Sequence, residues 1–67
     1  MEFKNILKDI LIYGNYTQKE LALLIGVKQS QISEWLKGKA KPGYDSLRAM
    51  VMYIPGITAD YLLGLTD

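Results

Sequence analysis

Thr17-Gln18-Lys19-Glu20-Leu21-Ala22-Leu23-Leu24-Ile25-Gly26-Val27-Lys28-Gln29-Ser30-Gln31-Ile32-Ser33-Glu34-Trp35-Leu36 decides the fold of this chain. Thr17 is a good helix N-cap, and Glu20, three residues on, completes a capping box. A helix therefore runs from Gln18 to about Ile25, with Leu21, Leu24 and Ile25 as its core face and Ala22 beside them. Gly26 breaks it after about two turns, because glycine accepts a positive backbone angle at no steric cost. A second short helix then spans about Lys28 to Leu36. Its apolar positions are few: Ile32, Trp35 and Leu36, with Val27 at the entry. A short helix in a small protein should bury a broad stripe. This one buries a narrow stripe and shows Lys28, Gln29, Ser30, Gln31, Ser33 and Glu34 elsewhere. Glutamine and serine add little solubility, where lysine and glutamate do better, but they suit hydrogen bonding to base edges and phosphates.

On the N-terminal side, Phe3, Ile6, Leu7, Ile10 and Leu11 recur at helical spacing and predict an amphipathic helix over residues 3 to 13. Gly14 and Asn15 end it, both residue types being tolerant of a left-handed cap. On the C-terminal side, Gly38 to Gly43 is a lysine-rich turn closed by Pro42. A fourth helix follows at about Tyr44 to Tyr53, with Leu47, Met50 and Val51 turned inward, and Pro55-Gly56 breaks it. Thr58 caps a last short helix, Ala59 to Leu63, which stops at Gly64. The expectation is an all-α fold, a compact bundle of five short helices in one domain over 1–67, with no strands and no internal repeat.

Composition removes several function classes. The chain has 67 residues, no cysteine and no histidine. Disulfides and thiolate metal sites are excluded, and the commonest general base and metal ligand is absent. Ser30, Ser33 and Ser46 have no evident base, so the expectation is a protein that is not an enzyme and carries no cofactor and no metal. Gly38-Lys39 follows a helix instead of a strand and lacks the glycine-rich run of a phosphate-binding loop. The apolar runs are too short to cross a bilayer. Glu2 and Asp9 interrupt the N-terminus, which carries no basic leader, so the expected location is cytoplasmic. Net charge is only +1, yet its distribution is uneven. Lys28, Lys37, Lys39 and Lys41 stand against Glu34 alone, while the rest of the chain is mildly acidic, and such a basic stretch is an electrostatic footprint for nucleic acid.

From Thr17 onward the chain resembles the Cro/repressor-type (XRE-like) helix-turn-helix family. The matching residues are Thr17-Gln18, Leu21-Ala22, Ile25-Gly26-Val27, Ile32-Ser33, Trp35 and Gly38-Lys39, and Asp60-Tyr61-Leu62-Leu63-Gly64-Leu65 resembles the last helix of phage repressor domains. The resemblance covers about residues 5 to 65. It implies a lambda-repressor-like fold and a sequence-specific regulator of transcription, of phage or prophage repressor type, that binds double-stranded DNA with the recognition helix in the major groove. It also implies roles. Gln29, Ser30 and Glu34 match positions that face the major groove, flanked by Lys28 and Ser33. Gln18, at a helix N-terminus, is a phosphate contact, and Lys37, Lys39 and Lys41 are phosphate anchors. Ala22 lies where the two helices cross, and Leu21, Ile25, Ile32 and Trp35 bury the back of the unit.

Two departures stand out. Where many members of that family pair an arginine late in the first helix with a glutamate after the recognition helix, this chain has Leu11 and Leu36, which predicts an apolar contact in place of an ion pair. Asn15 stands where the family usually has glycine, a change asparagine tolerates. Such domains bind as homodimers to two-fold symmetric operators, and the expected dimer surface is Ile57, Tyr61, Leu62 and Leu65. A second reading keeps DNA binding but makes the same domain an antitoxin or a controller of restriction genes. A helical protein-interaction module is the reading from another class; it explains the helices but not the Gln/Ser-rich third one followed by lysines.

Overall fold

A computed structural model describes residues 2–65. Five helices follow one another: α1 Phe3–Tyr13, α2 Gln18–Ile25, α3 Gln29–Leu36, α4 Tyr44–Tyr53 and α5 Ala59–Leu62. No strand occurs among the described residues, and no helix there is long and apolar enough to cross a membrane. The bundle measures 27 × 25 × 22 Å.

The helix bounds follow from local chemistry. At α2 the capping box is complete: the Thr17 N–H donates to Glu20 Oε1 at 2.8 Å, and the Glu20 N–H donates to Thr17 Oγ1 at 3.0 Å. Gly26 takes the left-handed conformation at φ 76, and its N–H and that of Val27 both close on the Ala22 carbonyl. The α1–α2 turn divides its labour between the two residues expected to end the helix. Asn15 alone is left-handed, at φ 57, while Gly14 stays helical at φ −81. Gly14 is needed for space: a Cβ there would run into the Tyr16 ring and lie 2.8 Å from the Ile10 carbonyl oxygen.

One core unites the helices. Ile6, Leu7 and Ile10 of α1 meet Leu21, Ala22 and Ile25 of α2, Ile32 and Trp35 of α3, and Met50, Ile54 and Leu62. The Phe3 ring stands edge-on to Trp35, centroids 6.1 Å apart at 83°, and ties the start of α1 to the back of α3. Leu11 and Leu36 are both half-buried and packed against this core.

Several sequence expectations need correction. Leu24 is 37% exposed and Val51 38%, so neither belongs to the core. The α2 stripe is Leu21, Ala22 and Ile25, centred nearer the small alanine, and this rotates Leu24 to its edge. On α4 the inward line runs Leu47, Met50 and Ile54, with Val51 to one side. Leu62 is 3% exposed and belongs to the core, so it has no surface to offer a second protomer. Ile57 and Tyr61 are half-buried against the same core, whereas Leu65 is exposed. Finally, α3 starts one residue late and α5 stops one residue early: Lys28 is the extended N-cap of α3, and Leu63 is the C-cap of α5.

Candidate nucleic-acid interface

The α3 helix is anchored from behind and polar in front. Ile32 and Trp35 are buried, and between them they fix which face turns outward. Lys28, Gln29 and Ser30 are exposed at its N-terminal end, and Ser33 and Glu34 are half-buried further along. Ser30 and Glu34 lie one turn apart and share a face, opposite the buried residues. Gln31 points to a different task. Its Oε1 accepts the Lys28 N–H at 2.9 Å and so closes the helix start, which lysine, having no acceptor, leaves open. That bond occupies an amide oxygen which an unpaired glutamine would offer to a base.

At the start of α2, Gln18 is half-buried. The N–H groups of Gln18 and Lys19 occupy the first two helical positions and have no acceptor inside the helix, so they point outward beside the positive end of the dipole. Glu20 lies in the same turn. Hydrogen bonds from the Thr17 backbone and side chain hold its carboxyl below the usual carboxylate range. The anionic Glu20 is therefore spent on the cap, and an anion at this helix end must approach from the Gln18 side.

Beyond α3, Lys37, Lys39 and Lys41 are all exposed on the turn that leads to α4. The fold adds a cation that the sequence did not associate with them. The Lys4 side chain lies over Gly38, with Cδ 3.6 Å and Nζ 4.0 Å from where a Cβ on that glycine would stand. Lys4, Lys37 and Lys41 share the rim of one 530 Å³ groove, floored by Phe3 and Trp35. Glu2 is 3.5 Å from Lys4 Nζ and partly offsets its charge; both side chains are exposed. Lys4 is far from the basic turn along the chain, and only the packing of α1 against α3 joins them.

Two short helices joined at a left-handed glycine, with the second backed by a tryptophan and polar outward, form a helix-turn-helix unit. Residues 7–62 match the helix-turn-helix family model. The chain belongs to the helix-turn-helix family. It is also 35% identical over 64 residues to the HTH-type transcriptional activator BcrR of Enterococcus faecalis, which covers 96% of this chain and 31% of that protein. The chain thus spans about a third of the length of this curated relative. No solved structure matches it significantly. Gln18 stands at the start of α2, the expected base-facing residues run from the N-cap Lys28 along α3, and the expected lysines follow on the turn after it.

Proposed function

We propose that this helix-turn-helix domain binds double-stranded DNA in a sequence-specific way and regulates transcription, with α3 seated in the major groove. Lys28, Gln29, Ser30, Ser33 and Glu34 face the base edges in this reading, and Gln18, Lys37, Lys39 and Lys41 take phosphates. The observation that carries it is the two-sided character of α3: Ile32 and Trp35 are buried behind a row of exposed and half-buried hydrogen-bonding side chains, with exposed lysines directly after the helix. A face of this kind has little apolar surface to drive protein association, yet it matches the donor and acceptor code of the major groove. Gln29 suits a bidentate contact to adenine, and Glu34 accepts from cytosine or repels a phosphate. Similarity to a protein described as a transcriptional activator supports the regulatory part.

Repression by occupancy of a promoter site is the mode of regulation we propose. A head of this type occupying a site over a promoter represses by occupancy alone, as in a Cro-like phage or prophage regulator. Two copies on a two-fold symmetric operator would place their recognition helices about 34 Å apart, one turn of DNA. With Leu62 buried, the expected surface keeps the exposed Leu65 and the half-buried Ile57 and Tyr61, and Leu63 adds a further exposed apolar side chain at this end of the domain.

The test is selection of duplexes from a random pool at two salt concentrations. A recovered two-fold motif, with affinity falling steeply as salt rises, supports the proposal, because phosphate neutralisation releases counterions. No enrichment at either salt, or binding indifferent to salt, overturns it.

A further inference from the structure

A second cavity lies between the C-terminal end of α1 and the α4–α5 junction. It holds 390 Å³, within the range of about 300–1,000 Å³ typical of small-molecule sites. Tyr13, Tyr16 and Tyr61 all line it, together with Ile57 and Asp9. Among the described residues that line it, Asp9 is the one charged side chain, and no lysine or arginine is present. No residue of α2 or α3 contributes to it, so an occupant would leave the helix-turn-helix unit free.

Local packing fixes part of this open cavity's wall. The Tyr16 ring is held against the turn because Gly14 has no side chain, and a Cβ there would collide with it. The Tyr16 N–H is fixed on the Leu11 carbonyl at 3.0 Å, so the ring cannot swing away with its backbone. Tyr61 is half-buried beside it, packed against the core. Partial burial, then the negative field of Asp9, then Tyr13 push the Tyr61 phenol above its ordinary pKa. The Tyr61 phenol therefore stays neutral at physiological pH, and the carboxylate field reaches its ring.

Three tyrosines and one carboxylate line this cavity with no lysine or arginine among them, and aromatic rings near a carboxylate attract positive charge spread over carbon. We propose that this cavity is a binding site for a small organic cation of the quaternary-ammonium type, held among Tyr13, Tyr16 and Tyr61 with the Asp9 carboxylate as its counter-charge. Ring faces favour a weakly hydrated cation over a compact ammonium, and Ile57 favours its methyl groups over water. The site does not depend on the DNA-binding reading and stands or falls apart from it.

The experiment is an NMR titration of the whole chain with choline chloride at constant ionic strength, set beside dimethylbutanol, its neutral carbon isostere. Choline should shift the ring signals of Tyr13, Tyr16 and Tyr61 saturably, and the isostere should bind about tenfold more weakly, the difference a cation in an aromatic site makes. Asp9→Asn, checked for folding by circular dichroism, should weaken choline about fivefold or more, the order of a lost close charge in a partly screened site. Tyr13 is 85% exposed, so Tyr13→Ala leaves the core intact and should weaken choline as well. Equal binding of choline and its isostere, shifts that never saturate, or unchanged affinity in both folded variants would each overturn the proposal.

Discussion

Trp35→Ala removes the side chain on which the presentation of α3 depends. Trp35 is 4% exposed and the only tryptophan in the chain. Truncating a buried aromatic costs about 3–5 kcal/mol, because the site does not collapse fully around the cavity. The edge-on contact with Phe3 contributes about 0.5–1.5 kcal/mol beyond area alone, which places the loss in the upper half of that range. A chain of 67 residues has a total stability of about 3–10 kcal/mol. The variant should therefore be largely unfolded, or nearly so, at room temperature. Trp35→Phe keeps a ring opposite Phe3 and should lose much less. Urea titration followed by circular dichroism reads both, since the variants lack the tryptophan that fluorescence would follow. If Trp35→Ala lost less than about 1 kcal/mol, Trp35 would not anchor α3, and the claim that the buried side sets the outward face would fail.

Four further outcomes follow from the same geometry. Gln29→Ala should cost roughly 1–3 kcal/mol on the preferred DNA site and relax preference at one base position, as read by repeating the selection. Lys39→Ala should weaken all sequences alike and lower the salt slope by about one unit, and Lys4→Ala should do the same if α1 adds a cation to the basic turn. Ala22→Leu should destabilise the fold by about 1–3 kcal/mol through overpacking at the buried face of α2, measured by thermal melting. Glu20 has a lowered folded pKa, so its contribution to stability is complete above its unfolded value and is lost as pH falls through the folded one. The melting gap between wild type and Glu20→Gln should then be flat from neutral pH to about 5 and narrow below about 4; a constant gap would contradict the capping role.

Much of the fold was legible in the sequence because its signals are local. Thr17 and Glu20 announce α2, Gly26 its end, and the spacing of Phe3 to Leu11 announces α1; those helices lie where the pattern puts them. The centre of each buried stripe was harder to read. Leu21, Leu24 and Ile25 make as good a helical face as Leu21, Ala22 and Ile25, and only packing against α3 and α4 decides between them. Leu62 shows the same limit: apolar residues in a short terminal helix look alike until the core claims one. Within the candidate interface, the polar row of α3 and the lysines after it were visible as composition. The role of Gln31 was not, because a capping glutamine and a base-reading glutamine are the same residue with different partners. Lys4 carried no local signal at all, since its place beside Gly38 is made by the packing of α1. Gly14 and Asn15 both suit a left-handed cap by residue type; the structure gives that backbone to Asn15 and leaves Gly14 to make room for Tyr16.

The central claim is that α3 and its flanking turns form the surface that meets DNA. Isotope-labelled protein titrated with its selected duplex, followed amide by amide, tests this most directly. The account predicts that the largest shifts fall on residues 17–19, 28–34 and 37–41, with Asp9, Tyr13 and Tyr61 little changed. Shifts centred on Leu63 and Leu65 or on the tyrosine-lined cavity, with α3 unaffected, would contradict it.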